Sequence, residues 1–380
     1  MALLDTILNA YTASALKKRK VMVPDQKIED ICEDYYSEIS VDGKVCSDGS
    51  PCKTYIRKGN GKDLVIMFNG GGVAFDADSC RYGTSFSRFF TKKTCLYIPN
   101  CGPVSHFGTF LTNKDLGIFD KDKNHNPFAD WDNVLIQYAT GDFHVGNGDY
   151  QYHDLKGNPA TMHFHGYRNF KAIMEMVKKQ FPNPERILLG GGSAGAFGVS
   201  ALAGEIIDMY PDCKNITVYI DASLILKDDW KKVAKDVWHA PDHIADQITT
   251  DDMGGDWISE LARKYGSRAK ILYTGSTQDV ALATNTRYMK SGIFKAQQED
   301  LTDMTKALVQ RVKRLQEENA KVYYYICDFP DKVNGGTLHC VCGNAIWHEG
   351  DMEGVSPSKW VMNAVEGKPE TIGLSLLDLH

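Results

Sequence analysis

Short apolar runs recur along the chain, separated by stretches whose apolar residues return every three or four positions. The runs cover 64–68, 94–98, 134–138, 187–189, 216–220, 271–273 and 322–327. Continuous apolarity over four to eight residues marks strands buried on both faces. Helical patterns fill several intervals, among them 169–180, 198–210 and 300–319. This alternation predicts an α/β fold, a mostly parallel central sheet with helices on both faces. Tyr55 to Leu64, centred on Asn60-Gly61, reads as the two ends of a hairpin. The connection between 216–220 and 271–273 is long, and 227–238 and 257–265 within it look helical, so 226–265 reads as a helical cap insertion. Its Trp230, Trp238 and Trp257 read as packing anchors rather than ligand contacts. Residues 1–30 read as an N-terminal helical arm and 31–380 as a single α/β domain. No internal repeat interrupts this pattern.

Composition narrows the partners. The chain has 380 residues, 43% hydrophobic and 24% charged, with a net charge of -6. No dense Lys/Arg stripe is present, which argues against nucleic acid. No apolar run approaches the ~20 residues needed to span a bilayer. Leu3, Leu4, Ile7 and Leu8 precede the basic cluster Lys17-Lys18-Arg19-Lys20, the reverse of the order in a secretory leader. Six of the ten cysteines fall before residue 102, and none has zinc-finger spacing, so free thiols and disulfides both stay open. Asn215-Ile216-Thr217 is the one glycosylation pattern, meaningful only in a secreted chain.

The chemistry concentrates at 186–198. The apolar run there leads into Gly191-Gly192-Ser193-Ala194-Gly195, and a helical pattern follows. Strand, sharp turn and helix around G-x-S-x-G make a nucleophile elbow. Small neighbours are needed because the turn is strained, and the helix N-terminus behind Ser193 favours developing negative charge. Such a serine needs a base, an orienting carboxylate and oxyanion donors. In the chain order Ser, Asp, His, the acid is Asp279, in a loop after 271–273, with Asp221 its rival. The base is His339, in Gly335-Gly336-Thr337-Leu338-His339, while His348 and His380 are weaker candidates. The amide after the nucleophile, Ala194, and those of Gly72 and Val73 in Asn69-Gly70-Gly71-Gly72-Val73 are the expected oxyanion hole. This chemistry requires no metal and no organic cofactor.

Several segments together resemble the pectin acetylesterase/Notum family of serine carboxylesterases. They are Cys46-Ser-Asp-Gly-Ser-Pro51, Lys58-Gly59, Asn69-Gly-Gly-Gly72, Asn126-Pro-Phe-Ala-Asp-Trp131-Asp-Asn-Val134, Tyr138-Ala-Thr-Gly-Asp142 and His165-Gly-Tyr-Arg168. The elbow, Ile220-Asp-Ala-Ser223, Gln278-Asp279 and Leu338-His339-Cys340 continue the series, in order, over roughly 46–345. The resemblance implies an α/β-hydrolase that removes short acyl groups, acetyl above all, from a carbohydrate or a small acylated molecule. It also favours secretion, against the N-terminal pattern. Val73 stands where the family often has tryptophan, and Ala139 and Gly192 where it often has cysteine. An altered disulfide set and acyl pocket follow. The alternatives are a long-chain lipid or protein deacylase of the same fold, and a non-catalytic binding protein.

Overall fold

The apolar runs become buried strands. The computed structural model describes residues 2–18, 20–84, 88, 93–101 and 116–379. Contacts divide the chain into two units. The first comprises Met1–Lys114, Trp131–Pro184 and Lys232–Ala245, the second Asp115–Asp130, Glu185–Lys231 and Asp246–His380.

In the first unit a helix, α1 (Ala2–Lys18), precedes β1 (Met22–Gln26), β2 (Tyr36–Val45), β3 (Pro51–Arg57), β4 (Asp63–Phe68) and β5 (Asp132–Ile136). The strands lie in the order β1-β2-β3-β5-β4. β4 and β5 are parallel and buried along their whole length, in keeping with the apolar runs 64–68 and 134–136 that they carry after their polar first residues. A separate antiparallel pair, β6 (Gly148–His153) and β7 (Pro159–Phe164), leads into α2 (Gly166–Gln180). Phe170, Ile173, Met174 and Val177 form the buried stripe of α2.

The second unit is more regular. Strands β8 (Arg186–Gly192), β9 (Asn215–Asp221), β10 (Ala269–Ser276) and β11 (Val322–Cys327) pair in chain order, all parallel. Helices α3 (Ala194–Met209), α4 (Met253–Tyr265), α5 (Val280–Ser291), α6 (Gln298–Glu317) and α7 (Pro357–Val365) connect or follow them. Register brings the strand ends level, with Gly192 opposite Asp221, Asp221 opposite Thr274, and Ser276 opposite Cys327. The loops leaving β8, β9, β10 and β11 therefore start from one carboxyl edge, where parallel sheets place their sites. Counting both units and the β6–β7 pair, five of the eight ladders are parallel and three antiparallel, so the α/β, mostly parallel expectation holds.

Three expectations need correction. Tyr55 to Leu64 does reverse direction: Gly61 has a φ of 74°, and Asn60 Oδ1 accepts from Lys62 N and Asp63 N at 2.9 and 3.0 Å. The flanking strands do not pair as a hairpin, because β5 lies between β3 and β4. The run 94–98 makes only isolated bridges at Tyr97, to Gly72 and Gly83. The arm over 1–30 is helical only to Lys18, and Met22–Gln26 then pairs in parallel with β2. The segment 226–265 is helical over 230–237 and Met253–Tyr265, with 232–245 in the first unit and the rest in the second. Its three tryptophans are fully buried, and the Trp230 indole donates to Ile225 O at 3.0 Å.

Candidate active site

The elbow forms as the glycines require. Ser193 caps α3 with φ 58° and ψ -127°, a conformation that costs a side-chain-bearing residue energy and recurs at functional turns. Gly191 must lack a side chain, because a Cβ there would overlap the Gly195 carbonyl oxygen. Ser193 N donates to Asp221 O at 2.9 Å, which fixes the turn to the end of β9. The Ala194 N–H opens α3, where the first amides have no intrahelical acceptor.

The loops after β10 and β11 carry the other two groups. Asp279 is 1% exposed and caps α5, its Oδ1 accepting from Ala281 N at 3.1 Å and Leu282 N at 3.0 Å. Its other oxygen, Oδ2, lies 2.7 Å from His339 Nδ1. A carboxylate can only accept, so the shared proton sits on Nδ1 and leaves Nε2 as the acceptor. Burial works to lower the His339 pKa, but the charge and hydrogen bond of Asp279, helped by Asp221, carry it above the ordinary histidine value. The loop that bears His339 is positioned locally. Gln278 O accepts from Thr337 N at 3.0 Å, and Ser276 Oγ donates to Thr337 Oγ1 at 2.7 Å.

Asp221 occupies a different place. Its Oδ2 accepts from Val341 N at 2.9 Å and Cys342 N at 3.0 Å, and desolvation raises its pKa. One residue thus holds the serine turn through its carbonyl and the histidine loop through its carboxylate. No sequence pattern signals this role, because the two amides follow 120 and 121 residues later. A Cβ on Gly192 would lie 3.3 Å from both Cys340 Sγ and Cys342 Sγ, so those thiols pack on the elbow. His348 Nε2 faces Gly117 O at 3.2 Å and does not join the Asp279–His339 pair, and His380 lies outside the described residues.

The glycine loop belongs to the first unit. Gly72 has φ 80°, and a Cβ there would overlap the Leu96 carbonyl oxygen. The Val73 amide donates to Leu96 O at 2.9 Å, so this expected oxyanion donor is already spent, and Val73 itself is buried. The Gly72 N–H makes no backbone hydrogen bond among the described residues. Tyr138 and His144 hold the loop in shape. Tyr138 Oη donates to Gly72 O at 2.9 Å and accepts from Phe143 N at 3.0 Å. His144 Nε2 donates to Asn69 O at 2.9 Å, and burial lowers its pKa to about 4, which keeps the ring neutral. Asp142, pushed by burial to about 6, accepts from Thr140 Oγ1, His144 N and Gly166 N. The Tyr138 to Asp142 segment is therefore a scaffold for the glycine loop, a role its sequence alone does not disclose.

Among the described residues, Asp149, His163 and His165 are the group close enough to share a metal ion. Asp149 Oδ1 already meets His163 Nδ1 and His165 Nε2 at 2.8 Å each, and the Arg168 guanidinium stands 3.3 Å from His165 Nε2. The histidines satisfy the carboxylate, and a fixed cation beside them opposes a second one.

No curated protein matches the chain. The pectinacetylesterase family model matches residues 33–237, a span that holds the glycine loop, the elbow and Asp221 but ends before Asp279 and His339. That span is more than half of the 380 residues, and the chain belongs to the pectinacetylesterase family.

Proposed function

We propose that the protein is a serine carboxylesterase that removes short acyl groups, principally acetyl, from a carbohydrate through a Ser193–His339–Asp279 triad. Family membership gives carbohydrate esterase activity. The observation that carries the finer reading is the 2.7 Å contact between His339 Nδ1 and Asp279 Oδ2, with the strained Ser193 turn tied to the same loop through Asp221.

His339 Nε2 takes the Ser193 Oγ proton as Oγ attacks the ester carbonyl. The Ala194 N–H, at the positive end of α3, donates to the oxyanion. Collapse breaks the ester C–O bond, and Nε2 returns the proton to the departing alcohol oxygen. Water then attacks the acyl-serine, giving its proton to Nε2, which passes it to Ser193 Oγ as the acyl C–Oγ bond breaks, releasing the carboxylic acid and free Ser193. Asp279 holds the Nδ1–H tautomer throughout and stabilises the imidazolium.

The test is to treat the protein with a fluorophosphonate, map the adduct by peptide mass, and measure hydrolysis of p-nitrophenyl esters from acetyl to octanoyl. Expected are a single adduct on Ser193, a loss of kcat on the order of 10⁴-fold or more in Ser193→Ala, and rates falling with acyl length. An adduct elsewhere, or near-native turnover by folded Ser193→Ala, overturns the triad. A rate rising steadily with chain length overturns the acetyl preference.

A further inference from the structure

Three buried thiols, those of Cys46, Cys52 and Cys101, meet within the first unit. Cys46 Sγ donates to Cys101 Sγ at 3.4 Å, across 55 positions of sequence. The Sγ atoms of Cys52 and Cys101 each lie 3.9 Å from the Lys53 carbonyl oxygen, so the third thiol adjoins the pair.

The pair joins the turn 46–50 to the segment 94–101, and that segment supports the glycine loop. Leu96 O accepts from Val73 N, and Ile98 N donates to Gly71 O, both at 2.9 Å. The segment is not a regular strand, since Tyr97 makes only isolated bridges, to Gly72 and Gly83. Toward Cys101, Pro99 O accepts from Ser47 Oγ at 3.0 Å and from Asp48 N at 3.3 Å. Asn100 Nδ2 donates to Asp48 Oδ2 at 3.0 Å, an exposed bond that water competes for. A covalent tie at Cys101 would anchor the segment on which the glycine loop rests.

The chemistry balances with a small disulfide as oxidant, such as glutathione disulfide. One cysteine thiolate attacks it and one glutathione thiolate leaves. The second cysteine thiolate attacks the protein sulfur of the mixed disulfide, and the second glutathione thiolate leaves. Two protein thiols are oxidised, one disulfide is reduced, and the two protons pass to the glutathiones. The protein sulfurs must approach by about 1.4 Å to reach bonding distance. Burial decides when this happens. The hydrogen bond to Cys101 and burial raise the Cys46 thiol above its ordinary value. The bond from Cys46 works to lower Cys101, but the neighbouring Cys52 and burial raise it well above its ordinary value. Thiolate is therefore scarce, and shielded from oxidant, once the protein is folded.

We infer that Cys46 and Cys101 are a cross-linking site, joined when the chain folds in an oxidising medium, and that the bond fixes the segment 94–101 against the glycine loop. The test refolds the full chain from denaturant either in a buffer of glutathione and glutathione disulfide or in dithiothreitol. Free thiols are alkylated and peptides mapped by mass. Hydrogen exchange is measured in peptides covering Val73 and Ile98. The expected results for the oxidised protein are a 46–101 linked peptide, a melting temperature higher by about 3–5 °C, and slower exchange at Val73 and Ile98. Glutathione disulfide added to the folded, reduced protein forms the link about tenfold or more slowly than refolding does. Cys52→Ser keeps the link, whereas Cys46→Ser and Cys101→Ser lose it. Mapping of the native sequence needs no variant, so it decides even if a serine variant fails to fold. A 52–101 link in place of 46–101, or free thiols at both 46 and 101 after oxidative refolding, overturns the site. Equally fast linking in the folded protein overturns its restriction to folding. A 46–101 link with unchanged exchange at Val73 and Ile98 overturns its hold on the glycine loop.

Discussion

Asp279 performs two tasks with two oxygens, and substitution separates them. Oδ1 caps α5 through Ala281 N and Leu282 N, while Oδ2 takes the His339 Nδ1–H. Asn caps a helix about as well as Asp, so Asp279→Asn keeps the first task when its carbonyl oxygen takes the Oδ1 position. Its NH₂ group then faces Nδ1, two donors meet, and the ring must turn to the tautomer with its proton on Nε2. That nitrogen no longer accepts from Ser193, and kcat falls on the order of 10⁴-fold with the melting temperature little changed. Asp279→Ala loses both tasks. The missing cap costs about 1 kcal/mol, worth no more than about 2–4 °C. The pH profile adds an independent check. Since His339 titrates above the ordinary histidine value of 6.5, kcat/KM of the native protein rises with pH to half its plateau above that value. Residual activity in Asp279→Ala shows the same limb moved to lower pH. The stability linkage has the opposite sense. A histidine with a raised folded pKa contributes fully below its unfolded value of about 6.5, and the contribution is lost as pH rises through the folded pKa. The assays are p-nitrophenyl acetate hydrolysis across pH and thermal unfolding of each variant. Near-native kcat in Asp279→Asn, or a rate loss that only tracks unfolding, would refute the assignment.

Three further outcomes follow from packing. Asp221→Ala strands the buried amides of Val341 and Cys342, at about 1–3 kcal/mol each, so the melting temperature drops; Asp221→Asn keeps one acceptor and loses less. If Asp221→Asn instead abolishes turnover at unchanged melting temperature while Asp279→Asn does not, the two acids exchange roles. Gly192→Cys places its Cβ 3.8 Å from that of Cys340, the usual separation in a disulfide, so oxidation should yield a 192–340 crosslink visible by peptide mapping and a higher melting temperature that reductant reverses. Arg311→Ala leaves Asp252 with Arg314 at 3.3 Å as its remaining cation and frees the carbonyl of Ser223, and denaturant titration should report a loss of about 3 kcal/mol, the low end for a broken buried pair.

What the sequence discloses and what it hides divide along a physical line. Strands β4, β8, β9, β10 and β11 were legible because burial on both faces leaves an unbroken apolar run, and the elbow because its geometry excludes side chains at Gly191. Both are local consequences of local residues. The insertion of β5 between β3 and β4 is not local. The turn at Asn60-Gly61 is built as its sequence indicates, yet the pairing is set by a strand that begins only at Asp132. Val73 shows the same limit at smaller scale, since the chain cannot announce that its amide is spent on Leu96.

Asp221 carries the argument furthest. As a carboxylate at a strand end in the right chain order, it is indistinguishable in sequence from the acid of a triad. Its neighbours decide. Asp279 leaves an oxygen facing the imidazole because its cap uses only the other one, whereas Asp221 has its Oδ2 filled by two backbone amides of the loop after the histidine. Each carboxylate spends one oxygen on two amides, but it is Asp279 whose other oxygen lies 2.7 Å from the His339 ring, while the bonds of Asp221 fix where that ring's loop begins. With the Ser193 amide on its own carbonyl, Asp221 couples the Ser193 turn to the His339 loop. In the proposed mechanism a misplacement of about 1 Å in such a pair costs on the order of 10² in rate, so there Asp221 would act by positioning Ser193 and His339 rather than by moving a proton.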